Sequence, residues 1–440
     1  MEKTVCELFA GVGGFRCGLN GIHSSKRNKK ETWNTVWFNQ WEPEKKNQWA
    51  YNCYKAHFGS VLDLSGFDST NTDISKVEKK NIPDHNLLVG GFPCQDYSVA
   101  RGLKNEKGIE GKKGVLWWSI LEIIKAKNPS FILLENVDRL LKSPSKQRGR
   151  DFGIILSCLY LENYIVEWRV INAAEYGNVQ RRRRVFIFAY KKNTKFAKKI
   201  IAESKNNEYS NILSLSSFFA SSFPVHRVEE KNIKSGILSD DLLTMTNEFS
   251  FNFENSGILL DNQFHTTRIS VINEKAKTIG EILEDEIPSD KYYIPESKLY
   301  YTEKTIRHSD ETKNPLTKDQ RQTWQYLKGA KKKIRIAKNG HEYIFSEGAI
   351  PMIDKWDAPA RTMLTSESTF NRSSHIVLDK KTKKIRLITP LEAERIQGFP
   401  DDWTNTGMPE RMRYFCMGNA LVVPLIERMG KQISKIFESE

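Results

Sequence analysis

The 440-residue chain has no long uninterrupted apolar run, and this absence is the first of several that narrow its class. A membrane-spanning helix needs about 18 or more consecutive apolar residues, so we expect no membrane contact. Residues 1–11 enter a strand-like sequence almost at once and lack the regions of a signal peptide. We therefore expect a cytoplasmic protein.

Cysteine is scarce, and its few copies are scattered along the chain. No two of the six cysteines form a CxxC pair. Zinc sites and disulfide frameworks need close or regular cysteine spacing, so we predict neither a metal site nor disulfides. Free thiols of this kind are typical of a reducing compartment. The cysteines are Cys6, Cys17, Cys53, Cys94, Cys158 and Cys416.

Acidic residues are in the minority: 54 Asp and Glu stand against 68 Lys and Arg, a formal net charge of +14. A basic surface attracts nucleic acid, acidic proteins or anionic membranes, and of these we favour nucleic acid. Hydrophobic residues make up 39% of the chain, which is enough for globular cores. The length allows two domains, or one large domain with an insertion.

Strand-like and helix-like segments alternate through the first half of the chain. Residues 131–137 (FILLENV) form a nearly continuous apolar run, typical of a central parallel strand covered on both faces. Residues 115–127 repeat apolar side chains at helical spacing. This alternation predicts a doubly wound α/β domain, Rossmann-like and cofactor-binding, over residues 1–195.

The character of the sequence changes after residue 195, where polar and aromatic residues alternate between basic runs. We expect a smaller, β-leaning domain over residues 196–385, with its core at 196–355. Residues 386–440 are expected to return to the first domain. They end in a helical pattern from Val422 to Phe437, which should cover the sheet beside the first strand.

A glycine turn, FAGVGGF at residues 9–15, follows the first strand-like segment. Glycines there let the backbone turn tightly and approach a ligand near a helix N-terminus. The dinucleotide fingerprint G-x-G-x-x-G needs a third glycine, and Arg16 occupies that position. The turn therefore suits a nucleoside-type cofactor, although an ordinary glycine turn has the same sequence.

Cys94 lies between Pro93 and Gln95, directly after the apolar run of residues 87–92. Ligands of open α/β sheets bind at the carboxyl ends of strands, where a thiol can act as a nucleophile. Residues 100–114 are rich in glycine and lysine, as expected of a loop that closes over an anionic polymer. The alternative is a buried structural cysteine, but these neighbours favour the nucleophile.

Glu135 and a run of arginines add further polar groups to the strands. A carboxylate at the end of FILLENV is costly without a partner or a task, so we expect Glu135 to act as an acid or a hydrogen-bonding group. Residues 180–184 (QRRRR) lead into another strand. Strand alternation places Arg182 and Arg184 on one side, where we expect them to face the active edge of the sheet.

Together these blocks resemble the DNA (cytosine-5) methyltransferases. FAGVGGF, GFPCQDYS, LLENV, QRRRR, TPLEAERIQGFPDDW and MGNAL occur in that family's order. The resemblance covers residues 3–190 and 360–430, and the unmatched part near 196–355 is where the family keeps its variable target-recognition domain. It implies a bacterial or phage restriction–modification enzyme that acts on double-stranded DNA as a monomer, with a cognate restriction endonuclease as a functional partner.

The resemblance implies catalytic roles for four residues. Cys94 matches the thiol that adds to C6 of cytosine, and Glu135 matches the residue that contacts N3. Arg182 matches the arginine near the base O2, and Arg184 is the second arginine of that motif. The adduct makes C5 nucleophilic toward the methyl group of S-adenosylmethionine, and the base must first be flipped out of the duplex.

The resemblance also implies binding residues. Gln40 stands where the family often has an acidic residue for the ribose hydroxyls, and Glu42 offers an alternative on the same strand face. Arg395 is expected to brace the small domain. The expected cofactor residues are Phe9, Gly11, Val12, Gly13, Gln40, Trp41, Asp73, Ile74, Pro93, Asn419 and Ala420. The expected DNA contacts are Gln95, Ser98, Arg101, Lys104 and Arg372.

Three rival functions were weighed against this one. A nicotinamide oxidoreductase explains the sheet and the glycine turn, but not Cys94, Glu135 and the arginine strand together. A transfer-RNA cytosine-5 methyltransferase of the same fold is the main alternative, and the long unmatched segment favours DNA because single-stranded RNA needs no added groove reader. A binding protein that has lost the reaction has no support, since Arg182 is present as well.

Overall fold

One nine-stranded sheet organises the chain, in the order β2-β1-β3-β4-β6-β5-β8-β9-β7. The computed structural model describes residues 1–23, 31–43, 45–92, 116–205, 208–300, 309–313, 315–337 and 340–440. Strands β1 to β4 pair in parallel, and every pairing from β4–β6 onward is antiparallel. The strands are β1 (Thr4–Leu8), β2 (Asn34–Asn39), β3 (Leu87–Gly91), β4 (Phe131–Val137), β5 (Tyr164–Asn172), β6 (Arg183–Lys191), β7 (Lys234–Ile237), β8 (Ser256–Leu260) and β9 (Gln263–Thr267).

Helices cover both faces of the sheet. Along β3, Leu87 and Val89 enter one core with α1, α5 and α15, while Leu88 enters the other with α3 and α4. The predicted α/β class and the predicted central strand are thus confirmed. The described α-helices are α1 (Gly14–Asn20), α2 (Trp49–Phe58), α3 (Leu116–Lys127), α4 (Arg150–Leu161), α5 (Lys195–Ser204), α6 (Tyr209–Asn211), α7 (Phe218–Ser222), α8 (Leu242–Asn247), α9 (Ile279–Ile282), α10 (Glu296–Leu299), α11 (Lys318–Arg321), α12 (Trp324–Lys328), α13 (Pro390–Gln397), α14 (Glu410–Asn419) and α15 (Val423–Ser439).

The expected change of domain at residue 196 differs from the structure. Strands β7, β8 and β9 lie beyond that residue and extend the main sheet. Residues 209–222 are largely helical, although their alternating sequence suggested strands. The cause is tertiary: the buried Arg169 of β5 donates hydrogen bonds to the carbonyls of Leu213 (2.8 Å) and Phe223 (3.0 Å), which holds this segment against the sheet.

A smaller unit follows the main sheet. It contains a three-stranded sheet in the order β10-β11-β12 and a two-stranded hairpin of β13 and β14. A separate apolar cluster around Leu299, Trp324 and Ile376 fills its centre. The strands are β10 (Ser309–Asp310), β11 (Lys331–Ile336), β12 (Glu342–Glu347), β13 (Ile376–Leu378) and β14 (Ile385–Leu387).

The C-terminal helix α15 returns to the main sheet, as its apolar spacing predicted. Phe437 packs against Trp33 and Phe131, with ring centroids 4.9 and 5.0 Å apart. The helix crosses α1 at close range, because Gly18 has no side chain at the crossing. Within the ranges that the structure describes, no helix is long and apolar enough to cross a membrane.

Substituting Gly18→Ala is expected to lower the free energy of unfolding. A Cβ there would lie 2.9 Å from the Val423 carbonyl oxygen and closer still to the Ile426 side chain, so α15 would have to shift. Overpacking of this kind costs about 1–3 kcal/mol, measured by denaturant unfolding. Gly348→Ala is the control, since a Cβ at Gly348 would meet no atom within 4 Å. Equal stability of the two variants would contradict the packing described for α15.

Candidate active site

A cleft of about 2000 Å³ opens at the carboxyl ends of β1, β3 and β4. Open α/β sheets bind their ligands at this edge. One wall comes from the small unit through residues 365–369, and the end of α14 closes another. The lining includes Phe9, Gly11, Val12, Gln40, Trp41, Glu42, Asp73, Ile74, Glu135, Arg182, Arg184, Thr365, Ser366, Asn419 and Ala420.

The glycine turn after β1 lines part of the cleft. Phe9 and Gly11 have positive φ angles of 53° and 57°. Such angles are uncommon and occur mainly in tight turns of this kind. A Cβ at Gly11 would meet no atom within 4 Å, so the backbone there is open to a ligand. Gly13, which was also expected to contact the cofactor, is placed differently. It does not line the cleft, and a Cβ on it would lie 2.7 Å from the Phe58 ring.

Gln40 and Glu42 were the two candidates for holding the ribose of the cofactor, and their surroundings differ. The Gly11 N–H donates to Gln40 Oε1 at 2.8 Å, so the Gln40 side chain holds the glycine turn. Strand β2 ends at Asn39, so the two residues do not share a strand face as expected. Glu42 nevertheless lines the cleft, and burial raises the pKa of its carboxyl while a hydrogen bond from the Ala50 backbone N–H opposes that shift.

Asp73 and Asn419 both line the cleft, although they come from distant parts of the chain. Asp73 Oδ1 accepts from the Ser75 N–H at 3.0 Å and the Ser75 hydroxyl at 2.8 Å, which fixes the turn that carries Ile74. Asn419 ends α14, and Ala420 caps it. The cofactor residues predicted from the resemblance therefore line one cleft, with Gly13 as the exception and Pro93 outside the described residues.

Glu135 and Arg184 form an ion pair at the inner end of the cleft. Arg184 Nε lies 2.8 Å from Glu135 Oε1, and both side chains are mostly buried. Strands β4 and β6 are antiparallel neighbours, with Val137 opposite Arg184, so the sheet itself brings the pair together. Asn136 adds a hydrogen bond of 2.8 Å to the Phe92 carbonyl, which ties the end of β3 to β4.

Arg182 lines the cleft, as the sequence led us to expect, but its guanidinium is anchored to the backbone. Its Nη1 donates to the Met363 carbonyl and its Nη2 to the Gly418 carbonyl, each at 3.0 Å. The side chain is only 2% exposed, and burial lowers the pKa of Arg182 to about 9. Each terminal nitrogen thus donates one hydrogen bond to the backbone, and it is Arg184 whose guanidinium lies 2.8 Å from Glu135.

Gln180 supports the wall of the cleft, a role that was not predicted from the sequence. Its Oε1 accepts from the Met363 N–H at 2.9 Å, and its Nε2 donates to Gln397 Oε1 at 3.1 Å. Gln397 in turn donates to the Met417 carbonyl at 2.6 Å. The glutamine at the head of QRRRR was a visible signal, but nothing in the sequence identified its distant partners.

Five of the six cysteines are buried in the structure: Cys6, Cys17, Cys53, Cys158 and Cys416. Burial raises the pKa of each of these thiols, to about 12 for Cys53 and Cys158. A thiol with such a pKa supplies almost no nucleophilic thiolate at neutral pH. The sixth, Cys94, lies outside the described residues, as do Gln95, Ser98, Arg101 and Lys104.

Arg372 was expected to meet DNA, but its guanidinium is occupied within the small unit. Its Nη1 lies 3.0 Å from Glu347 Oε2, and its Nη2 donates to the Gly348 carbonyl. Arg395, which was expected to brace the small domain, makes a two-point ion pair with Asp401 and a bond of 3.0 Å to the Ile282 carbonyl. In the ranges described, no cluster of His, Cys, Asp or Glu is arranged to hold a metal.

The sheet, the glycine turn and the cleft at the carboxyl ends of the strands are those of a Rossmann-like, cofactor-binding fold. More narrowly, the chain belongs to the family of C-5 cytosine-specific DNA methylases, whose model matches residues 3–435. It is therefore a DNA cytosine-5 methyltransferase, and not an oxidoreductase. Membership of this family also implies S-adenosylmethionine as the methyl donor.

Individual relatives agree with this assignment. The type II methyltransferase M.Sau3AI of Staphylococcus aureus is 46% identical over 435 residues, which is 98% of this chain and 95% of its own. M.SsoII of Shigella sonnei is 26% identical over 434 residues, covering 98% and 80%. The S. pombe Dnmt2 methyltransferase structure superposes with a TM-score of 0.52 at 15% identity, covering 99% and 98%, which supports the fold alone.

Proposed function

We propose that this enzyme is the modification methyltransferase of a type II restriction–modification system. It methylates C5 of one cytosine within a short, specific duplex sequence, and so protects that sequence from a cognate endonuclease. The similarity to M.Sau3AI over nearly the whole of both chains supports this assignment. We further propose that it works in the cytoplasm as a monomer, because one cleft suffices to modify one strand at a time.

The ion pair between Glu135 and Arg184 is the observation that carries the proposed chemistry. It sits at the carboxyl end of the sheet beside Phe92, two residues before Cys94 in the sequence. A carboxylate held in one orientation can accept a hydrogen bond from a protonated ring nitrogen. The five described thiols are unsuited to nucleophilic attack, which leaves Cys94 as the candidate nucleophile.

The proposed reaction begins with a flipped-out cytosine, because its C6 is inaccessible inside the stacked duplex. The Cys94 thiolate adds to C6, and N3 takes up a proton that is stabilised by Glu135. Electron density then moves to C5, which would take the methyl group as the S–CH3 bond of the sulfonium breaks and its electron pair stays on the departing thioether sulfur. Loss of the C5 proton and elimination of the Cys94 thiolate restore the aromatic ring. Arg184 holds Glu135 in place and offers its remaining donors to the base.

S-Adenosylmethionine supplies the methyl group, and the residues along the cleft suit it. The backbone at Gly11 is open to a ligand, and Ile74 provides a buried apolar contact for an adenine. Glu42 offers a carboxylate acceptor for the ribose hydroxyls, since Gln40 is committed to the Gly11 N–H. Asn419 and Ala420 would complete the opposite end. Pro93 stays a further proposed contact.

DNA recognition is proposed to reside in residues 268–385, a narrower range than the sequence suggested. Residues 196–267 complete the main sheet, so they are less available for reading a duplex. Gln95, Ser98, Arg101 and Lys104 are proposed to contact the DNA backbone beside the flipped base. Such contacts to phosphates position a protein but do not read sequence, which must come from the small unit.

We expect the wild-type enzyme to mark one short recurring sequence in a host that lacks cytosine methylation, read by bisulfite sequencing. Cys94→Ser should leave no protected cytosines, because the covalent step needs the thiolate, yet it should still bind duplex DNA. Cys158→Ala is the matched control: its thiol is buried away from the cleft, and it should keep the marks. Protected cytosines made by Cys94→Ser would contradict the proposed nucleophile.

Glu42→Gln should weaken S-adenosylmethionine binding, measured by calorimetry without DNA. Hydrogen bonds to a charged acceptor contribute about 1.5–3 kcal/mol, which corresponds to a rise of about tenfold or more in Kd. Glu78→Gln is the control, since Glu78 is exposed and does not line the cleft. If both variants bind the cofactor as tightly as the wild type, Glu42 does not hold the ribose.

A further inference from the structure

A β-ribbon in the small unit exposes apolar side chains to solvent on one face. Strands β11 and β12 pair antiparallel, with Ile334 directly opposite Ile344 and Ile336 opposite Glu342. Ile334, Ile336 and Ile344 are 55%, 69% and 59% exposed. Opposed residues of a ribbon lie on the same face, so these three isoleucines form one patch. We call it the isoleucine face.

The base of this ribbon is held firmly by hydrogen bonds and ion pairs. Lys331 Nζ donates to the Leu327 carbonyl at 2.7 Å and lies 3.1 Å from Glu347 Oε2. Arg372 binds the same Glu347 from the other side at 3.0 Å. On the face opposite the isoleucines, the Arg335 guanidinium stacks 3.5 Å above the centre of the Phe345 ring. These contacts fix the ribbon that carries the isoleucine face.

Contacts through the small unit connect the ribbon base to the wall of the catalytic cleft. Trp324 packs edge-on against Phe370 at 5.0 Å, and Lys328 Nζ donates to the Ser374 carbonyl at 2.7 Å. Both contacts reach the segment that carries the cleft-lining Thr365 and Ser366. A duplex bound on the isoleucine face would thus be fixed relative to the cleft.

The charge of the ribbon favours DNA over a second protein copy. Strand β11 carries Lys331, Lys332, Lys333 and Arg335 and no acidic residue. Strand alternation places Lys332 on the isoleucine face with Glu342, and the other three on the opposite face, where Lys331 and Arg372 contact Glu347. Two such ribbons, in chains of net charge +14, would repel each other, whereas phosphates would be attracted. A two-stranded ribbon also fits the major groove, where apolar side chains contact thymine methyl groups.

We propose that the isoleucine face enters the major groove and reads thymine methyl groups of the recognition sequence. This inference rests on the proposed function, since it assumes a duplex DNA substrate with a specific sequence. It assigns sequence readout to Ile334, Ile336 and Ile344, and orientation on the duplex to the basic residues of the same ribbon.

The test compares Kd for two labelled duplexes, one with the sequence found by bisulfite mapping and one with that sequence scrambled. In Ile334→Thr/Ile344→Thr, preference for the specific duplex should fall by about tenfold or more, while binding to the scrambled duplex stays within about twofold. Cofactor affinity should be unchanged. Ile237→Thr is the control, an isoleucine 68% exposed on β7 of the main sheet. Ile336→Thr, with the most exposed of the three side chains, repeats the test if the double variant unfolds.

Unchanged preference in both ribbon variants would overturn the proposal. So would a wild-type dimer that the double variant dissociates without any loss of DNA preference, because the occupant would then be a second copy. Binding is measured without turnover, so the assay is independent of Cys94. A wild-type enzyme that leaves no methyl marks would count against the proposed function. If the wild type does leave marks but the ribbon variants keep their preference for the specific duplex, only the role proposed for the ribbon is contradicted.

Discussion

Two hydrogen bonds from the buried guanidinium of Arg182 hold the catalytic cleft together. They join the start of β6 to the Met363 carbonyl in the small unit and to the Gly418 carbonyl near the end of α14. These partners lie 181 and 236 residues further along the chain. Three distant segments therefore meet at one side chain, and each carries a wall of the cleft: Arg184 and Glu135, Thr365 and Ser366, and Asn419 and Ala420.

Burying the charged Arg182 side chain at this junction costs free energy. Among the described residues, Arg182 has no carboxylate hydrogen-bond partner and its Nε has no partner at all, and burial lowers its pKa to about 9. A planar fork that donates to two separate carbonyls explains why arginine occupies the position, because lysine offers a point charge and no such fork. Gln180 supports the same junction by linking Met363 to Gln397. Hydrogen bonds from Arg182 and Gln180 thus hold the segments that form the walls of the cleft, and these segments carry side chains that line it.

Much of the fold followed from local sequence patterns. The apolar runs of β3 and β4 and the spacing in α15 identified these elements, because their side chains face cores on known periods. Residues 209–222 were misjudged because the Arg169 contacts that hold them are tertiary. The ion pair of Glu135 and Arg184 could be predicted only in part. Strand alternation puts Arg182 and Arg184 on the same side, and only the distant carbonyls that bind Arg182 decide which arginine pairs with Glu135. Arg372 illustrates the same limit, since its partner Glu347 is remote in sequence.

The most direct test of this organisation is cofactor affinity in Arg182→Met, measured by calorimetry in the absence of DNA. If Arg182 fixes the cleft, its loss should release Gly418 and the neighbouring Asn419, and S-adenosylmethionine should bind about tenfold more weakly or worse, the equivalent of one good hydrogen bond. Arg181→Met, at the exposed neighbouring arginine, should bind the cofactor as the wild type does. Equal cofactor affinity in the two variants would contradict this account and return Arg182 to a role at the base alone.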